Sequence, residues 1–132
     1  MRPAAWICLA LAVFDFALGG MAVWQPKLYA RIFHPGLADV PVDFIARTGM
    51  LWLFFGVIEA IAAWKRKPLW FFVVGLLRLM EVPADVAYAT LARGASLMSR
   101  SAIFFAPLFN LAVGIFLVSR LRRTVPPASS DQ

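Results

Sequence analysis

A chain of 132 residues has room for one domain, and 62% hydrophobic residues with a mean hydropathy of +0.78 exceed what a water-soluble domain of that size can hide. The net charge is +6, from 13 Lys and Arg against 7 Asp and Glu; the cations stand at the ends of apolar runs, as membrane insertion requires, which argues against nucleic acid as a partner. The lone cysteine Cys8 allows no intramolecular disulfide, and with the lone histidine His34 far away it argues against a zinc site, a bis-His haem or a Cys–His nucleophile.

The first apolar run, Ala4–Trp24, is 21 residues long, close to the roughly 20 that cross a hydrocarbon core of about 30 Å. Asp15 interrupts it and no small-x-small cleavage site follows, so it reads as a first transmembrane helix rather than a leader. The stretch Gln25–Asp43 is long for a connection. Within it Leu28, Tyr29, Ile32 and Phe33 recur at helical spacing beside Lys27 and Arg31, which predicts a short amphipathic helix in the interface, closed by a turn at Pro35-Gly36. Such a segment can cover the helices as a lid or simply rest on lipid as a connection, and the second reading is preferred.

Three further apolar runs follow: Phe44–Trp64, Leu69–Leu91 and Ser101–Val118. The link Lys65-Arg66-Lys67-Pro68 between the first two predicts a tight antiparallel hairpin. Ala92–Arg100 reads as a short polar loop, and 125–132, with its prolines and serines, as a disordered tail. Trp6, Trp24, Trp64 and Trp70 stand near run ends, where amphipathic rings settle at headgroups. The expectation is an all-α, four-helix transmembrane bundle over 1–124, with helices at about 4–24, 44–64, 69–91 and 101–118 and a short interfacial helix between spans one and two. Seven cations (Arg2, Lys65, Arg66, Lys67, Arg120, Arg122, Arg123) fall on one side and four (Lys27, Arg31, Arg93, Arg100) on the other, which places both termini in the cytoplasm.

Seven polar residues lie inside the apolar runs: Asp15, Arg47, Glu59, Arg78, Glu81, Asp85 and Asn110. An ionised group near the bilayer centre costs on the order of 3 kcal/mol, so these residues must face one another or water. At about 100° per residue, Arg78, Glu81 and Asp85 share one face of the third span and Tyr88 extends it. Small residues mark packing faces that let helices approach closely: Cys8, Ala12, Gly19 and Ala22 beside Asp15; Gly49, Gly56, Ala60 and Ala63 near Glu59; Ala106 and Gly114 with Asn110. Depth along the helices pairs Asp15 with Arg78 near mid-bilayer, puts Glu81 one turn further out, and places Arg47 and Asp85 near the outer edge. The candidate polar centre is therefore Asp15, Arg78, Glu81, Asn110 and Glu59, with Glu59 reaching either Arg78 or the cations of the hairpin link, and with a separate outer ion pair Arg47–Asp85. Four acids face two arginines, so one of Asp15, Glu59 or Glu81 is expected to carry a proton. Pro83 and Pro107 each remove a hydrogen bond inside spans three and four. No residue set suggests a metal and no cofactor is implied.

Four short spans, the basic hairpin link and Arg47-Thr48-Gly49 opening the second span resemble the DoxX-like group of small bacterial membrane proteins. The resemblance covers the chain in architecture, implies the bacterial inner membrane, and carries over no functional residue. Three functions fit the residues. The first is a membrane-embedded binding or accessory protein that holds an apolar ligand or docks to a larger membrane complex. The second is a small enzyme acting on a lipid-soluble substrate such as a quinone, isoprenoid or sterol-like molecule, with Glu81 or Asp15 as acid–base group and Arg78 stabilising charge. The third is proton-coupled transport, which four short helices would support only as a homo-oligomer.

Overall fold

The structure, a computed structural model, describes residues 2–35, 41–91 and 96–122. These residues form five α-helices in chain order: α1 (Arg2–Trp24), α2 (Pro26–Phe33), α3 (Val42–Lys65), α4 (Pro68–Leu91) and α5 (Leu97–Arg122). The described residues contain no strand.

Local chemistry sets the helix ends. Pro26 cannot continue the hydrogen-bond ladder of α1 but suits the first turn of α2, so the chain breaks at Gln25. The α3 helix stops at Arg66, which adopts the left-handed conformation (φ 53°) and donates its backbone N–H to the carbonyl of Ala62. Pro68 then opens α4, which leaves only Arg66 and Lys67 between the two helices. The expected polar loop 92–100 is shorter than its composition suggests. Ser96 accepts the backbone N–H of Ser99 on its side-chain oxygen (3.1 Å) and that of Arg100 on its carbonyl (2.8 Å), and this N-cap starts α5 at Leu97. The expected turn at Pro35-Gly36 continues, and the expected tail lies, outside the described residues.

The long helices associate as two antiparallel pairs. In the first, Gly19 of α1 faces Gly49 of α3 and Phe16 lies on Gly56. A Cβ built on Gly19 would sit 2.8 Å from the Gly49 carbonyl oxygen, so only glycine allows this backbone approach. In the second, Gly75 of α4 faces Gly114 of α5, with Leu79 packed over Gly114. One apolar core (Ala4, Ala5, Cys8, Leu11, Ala62, Phe71, Val74, Leu117) draws on all four long helices. A second (Ala22, Tyr29, Ile45) joins α1, α2 and α3 at the other end, flanked by Phe33 and Trp52. Tyr29 is buried there and anchors α2 to the pair, so this segment is packed against the protein and not merely laid on lipid. Burial pushes the Tyr29 hydroxyl up to about 12 and keeps it protonated.

Outward faces are apolar: Phe14, Met50, Phe54, Met80, Phe104 and Leu108 are all exposed. Helices α1 and α3, and residues Ser99–Leu121 of α5, are long and apolar enough to cross a membrane. Thus three helices, and not the expected four, meet that description among the described residues. The exception is α4, equally long at 24 residues. Arg78, Glu81 and Asp85 lie so close together along it that every 18-residue window contains all three.

Candidate functional site

The two apolar cores are separated by charge. Asp15 lies on α1 between Leu11 and Ala22, on the same buried stripe as Cys8, Ala12 and Gly19. Small neighbours on that stripe bring α3 close enough for Glu59 to share the layer. Arg78 enters from α4 and is the common partner of both. Its Nη2 donates to Asp15 Oδ2 at 2.6 Å and to Glu59 Oε1, while Nη1 donates to Glu81 Oε2 at 2.7 Å, one turn along α4. Asp15 is 2% exposed, Glu59 1% and Arg78 4%. The cluster therefore ties the α1–α3 pair to the α4–α5 pair. A planar guanidinium with donors in fixed directions can hold three carboxylates at once, which an ammonium on a flexible stem does less well.

Glu59 is thus resolved toward Arg78 and not toward the hairpin link. The expected outer pair does not form. Asp85 accepts a hydrogen bond from Asn110 Nδ2 (2.8 Å), whereas Arg47 is exposed and makes no ion pair with it. The reason is rotational. Arg47 lies off the buried Ile45–Gly49–Gly56–Glu59 stripe of α3, while the Gly75–Gly114 crossing brings α5 against α4 and presents Asn110 to Asp85. All three ion pairs among the described residues belong to Arg78.

Two polar atoms of the cluster are buried without a hydrogen-bond partner: Arg78 Nε and Glu59 Oε2. A buried, unpaired polar group costs about 1–3 kcal/mol, more when charged. One is a donor and the other an acceptor on adjoining side chains, the complement of a hydroxyl or carbonyl-containing group. Three carboxylates to one guanidinium also gather an excess of acidic groups in a low-dielectric layer.

One contact had no counterpart in the sequence reading. The Tyr88 hydroxyl lies 2.9 Å from His34 Nδ1 and 2.7 Å from Nε2, joining α4 to the end of α2. Burial holds the His34 imidazole below its ordinary value of 6.5, favouring the neutral ring, which offers one acceptor nitrogen to the phenol. Along α4 the polar face accordingly runs from Arg78 through Glu81 and Asp85 to Tyr88. The available signal was Tyr88 at the end of that face; its distant partner had none. Among the described residues, no group of three or more His, Cys, Asp or Glu is arranged to hold a metal ion.

No family model, curated protein or solved structure matches this chain.

Proposed function

We propose that the protein is a four-span integral membrane protein of the bacterial inner membrane, with both termini cytoplasmic, and that the Arg78–Asp15–Glu59–Glu81 cluster is its working centre. Its role is that of a membrane-embedded binding or accessory protein that takes up an apolar molecule by its polar end. The observation that carries this reading is the unpartnered donor and acceptor, Arg78 Nε and Glu59 Oε2, buried on hydrogen-bonded side chains where α1, α3 and α4 meet. A ligand hydroxyl can accept from Arg78 Nε or donate to Glu59 Oε2, and a ligand carbonyl can accept from Arg78 Nε, each removing a desolvation penalty. The fourth span is supported by the partnering of its charges: Arg78 and Glu81 lie in the cluster and Asp85 is held by Asn110, so α4 need present no bare charge to lipid.

The test is mass spectrometry of the intact full-length chain released from mild detergent. Wild type should retain an added apolar mass that Arg78→Lys loses when both are compared per folded molecule. Equal retention by both, or no retained mass in wild type purified from native membranes, overturns the reading. Reporter fusions after Arg123 and within 25–43 test the orientation; a periplasm-only reporter active at the C-terminus would refute it.

A second reading, an acid–base enzyme on a lipid-soluble substrate, is favoured by one observation. The Glu81 side chain is 17% exposed against 3% for Asp15 and 1% for Glu59, so it is the carboxylate a substrate could reach. Turnover abolished by Glu81→Gln with ligand retention intact would select it.

A further inference from the structure

At the far end of the α1–α3 pair, away from α2, a groove of about 340 Å³ opens between the two helices. Arg2, Ala5, Trp6 and Leu9 line it from α1, and Ala63 and Arg66 from the end of α3. The α1 residues follow helical spacing (i, i+3, i+4, i+7), so the groove is a continuous strip with a cation at its mouth and apolar side chains below. Arg66 closes it from the other side at the left-handed cap of α3, a position usually taken by glycine. The Arg66 Nε contacts the Ala63 carbonyl at 3.4 Å. Among the described residues neither Arg2 nor Arg66 has a carboxylate partner, every ion pair there being made by Arg78. Neighbouring Lys65 is turned elsewhere, over the Trp64 ring at 4.5 Å.

We propose that this groove is a binding site for one anionic phospholipid, its phosphate held between Arg2 and Arg66 and the start of an acyl chain laid along Ala5, Leu9 and Ala63 beside the Trp6 ring. Charge complementarity chooses the occupant: two guanidiniums without an ion-pair partner among the described residues stand beside a cleft lined by the apolar side chains of Ala5, Leu9 and Ala63, and a phosphodiester on a hydrocarbon chain matches both parts. A volume near 300 Å³ is the lower end for small-molecule sites and suits a headgroup with its first carbons, not an enclosed whole lipid. Position agrees as well. Trp6 and Trp64 are exposed at this end, as aromatic rings at a headgroup layer are, and Lys65 and Lys67 add to the positive field. A left-handed arginine costs conformational energy that glycine would not, which is expected where the side chain has a use. The site rests on the reading of α1 and α3 as spans, but not on the Arg78 centre.

The test uses the purified full chain in mild detergent, titrated with phosphatidylglycerol or with phosphatidylcholine and read by mass spectrometry of the intact complex. Phosphatidylglycerol should bind at least ten-fold more tightly than phosphatidylcholine. Arg2→Gln and Arg66→Gly should each weaken phosphatidylglycerol about five-fold, and together roughly twenty-five-fold, without moving phosphatidylcholine. Arg66→Gly relieves the left-handed cap, so its helicity and melting should match or exceed wild type; Arg2→Gln supplies the same loss without touching the backbone. Lys65→Gln is the control for general charge and should change affinity less than two-fold. Arg78→Lys should leave lipid selectivity intact, which separates failure here from failure of the proposed binding centre. Equal affinity for the two lipids, an effect of Lys65→Gln as large as that of Arg66→Gly, or displacement of phosphatidylglycerol by excess inorganic phosphate would each overturn the proposal.

Discussion

Replacing Arg78 by leucine removes the only cation that Asp15, Glu59 and Glu81 share, and leaves Asp15 and Glu59 almost fully enclosed. Each hydrogen bond to a charged group contributes about 1.5–3 kcal/mol, but three of them do not add, because the same burial desolvates all four side chains. Breaking a buried ion pair from one side costs about 3–5 kcal/mol, and Arg78→Leu should fall in that range. Arg78→Lys keeps the charge and loses the fork, so roughly half that loss is expected. The loss should vanish when the stranded acids are neutralised. Arg78→Leu combined with Asp15→Leu, Glu59→Met and Glu81→Met should lie within about 1 kcal/mol of wild type, since an apolar layer of similar volume needs no ion pairing. The assay is reversible unfolding of the full chain in mixed micelles, followed by helical circular dichroism. A penalty for Arg78→Leu that is as large in the neutralised background as in wild type would refute the reasoning, because the residue would then act by packing alone.

Four further expectations follow from the packing and from the outer end. Gly49→Ala would put a Cβ 2.7 Å from the Ala22 Cβ and 2.8 Å from the Gly19 carbonyl oxygen, where backbone cannot yield, and should cost about 1–3 kcal/mol. Gly20→Ala meets only the ring of exposed Trp24 and should be neutral or stabilising by up to about 1 kcal/mol in the same unfolding assay. Asn110→Leu should destabilise by about 1–3 kcal/mol by orphaning Asp85, and much less when Asp85→Leu is already present, whereas Arg47→Met and Asp85→Leu should simply add. For His34 the folded imidazole lies below its ordinary 6.5, so the unfolded chain takes up the proton first as pH falls. The stabilisation is therefore complete above about pH 6.5 and is lost as pH drops toward the folded value. Melting of wild type relative to His34→Gln should decline between pH 7 and pH 5, and parallel curves would refute this.

What could be read along the chain was what depends on one helix at a time. Apolar run length, the link ending at Pro68 and the helical spacing of Leu28, Tyr29, Ile32 and Phe33 located the five helices to within a few residues, because each rests on local backbone chemistry and hydrophobic periodicity. The stripe Cys8–Ala12–Asp15–Gly19–Ala22 is buried as its spacing implied, since residues on one face of a helix share one environment. The sequence also placed Arg78 and Glu81 on one face of α4, where they stand one turn apart and pair. Ser96 was equally legible as a cap and was obscured by the polar residues around it. Partner choice was another matter, because depth and periodicity do not specify how helices are rotated or which pairs cross closely. The Gly19–Gly49 and Gly75–Gly114 approaches set those rotations. They turned Glu59 to Arg78, gave Asp85 to Asn110 and left Arg47 outside, and the packing of α2 against α1 and α3 carried His34 within reach of Tyr88. Contacts between residues 19 to 63 positions apart are decided by shape at helix crossings, and only the assembled tertiary structure contains that information.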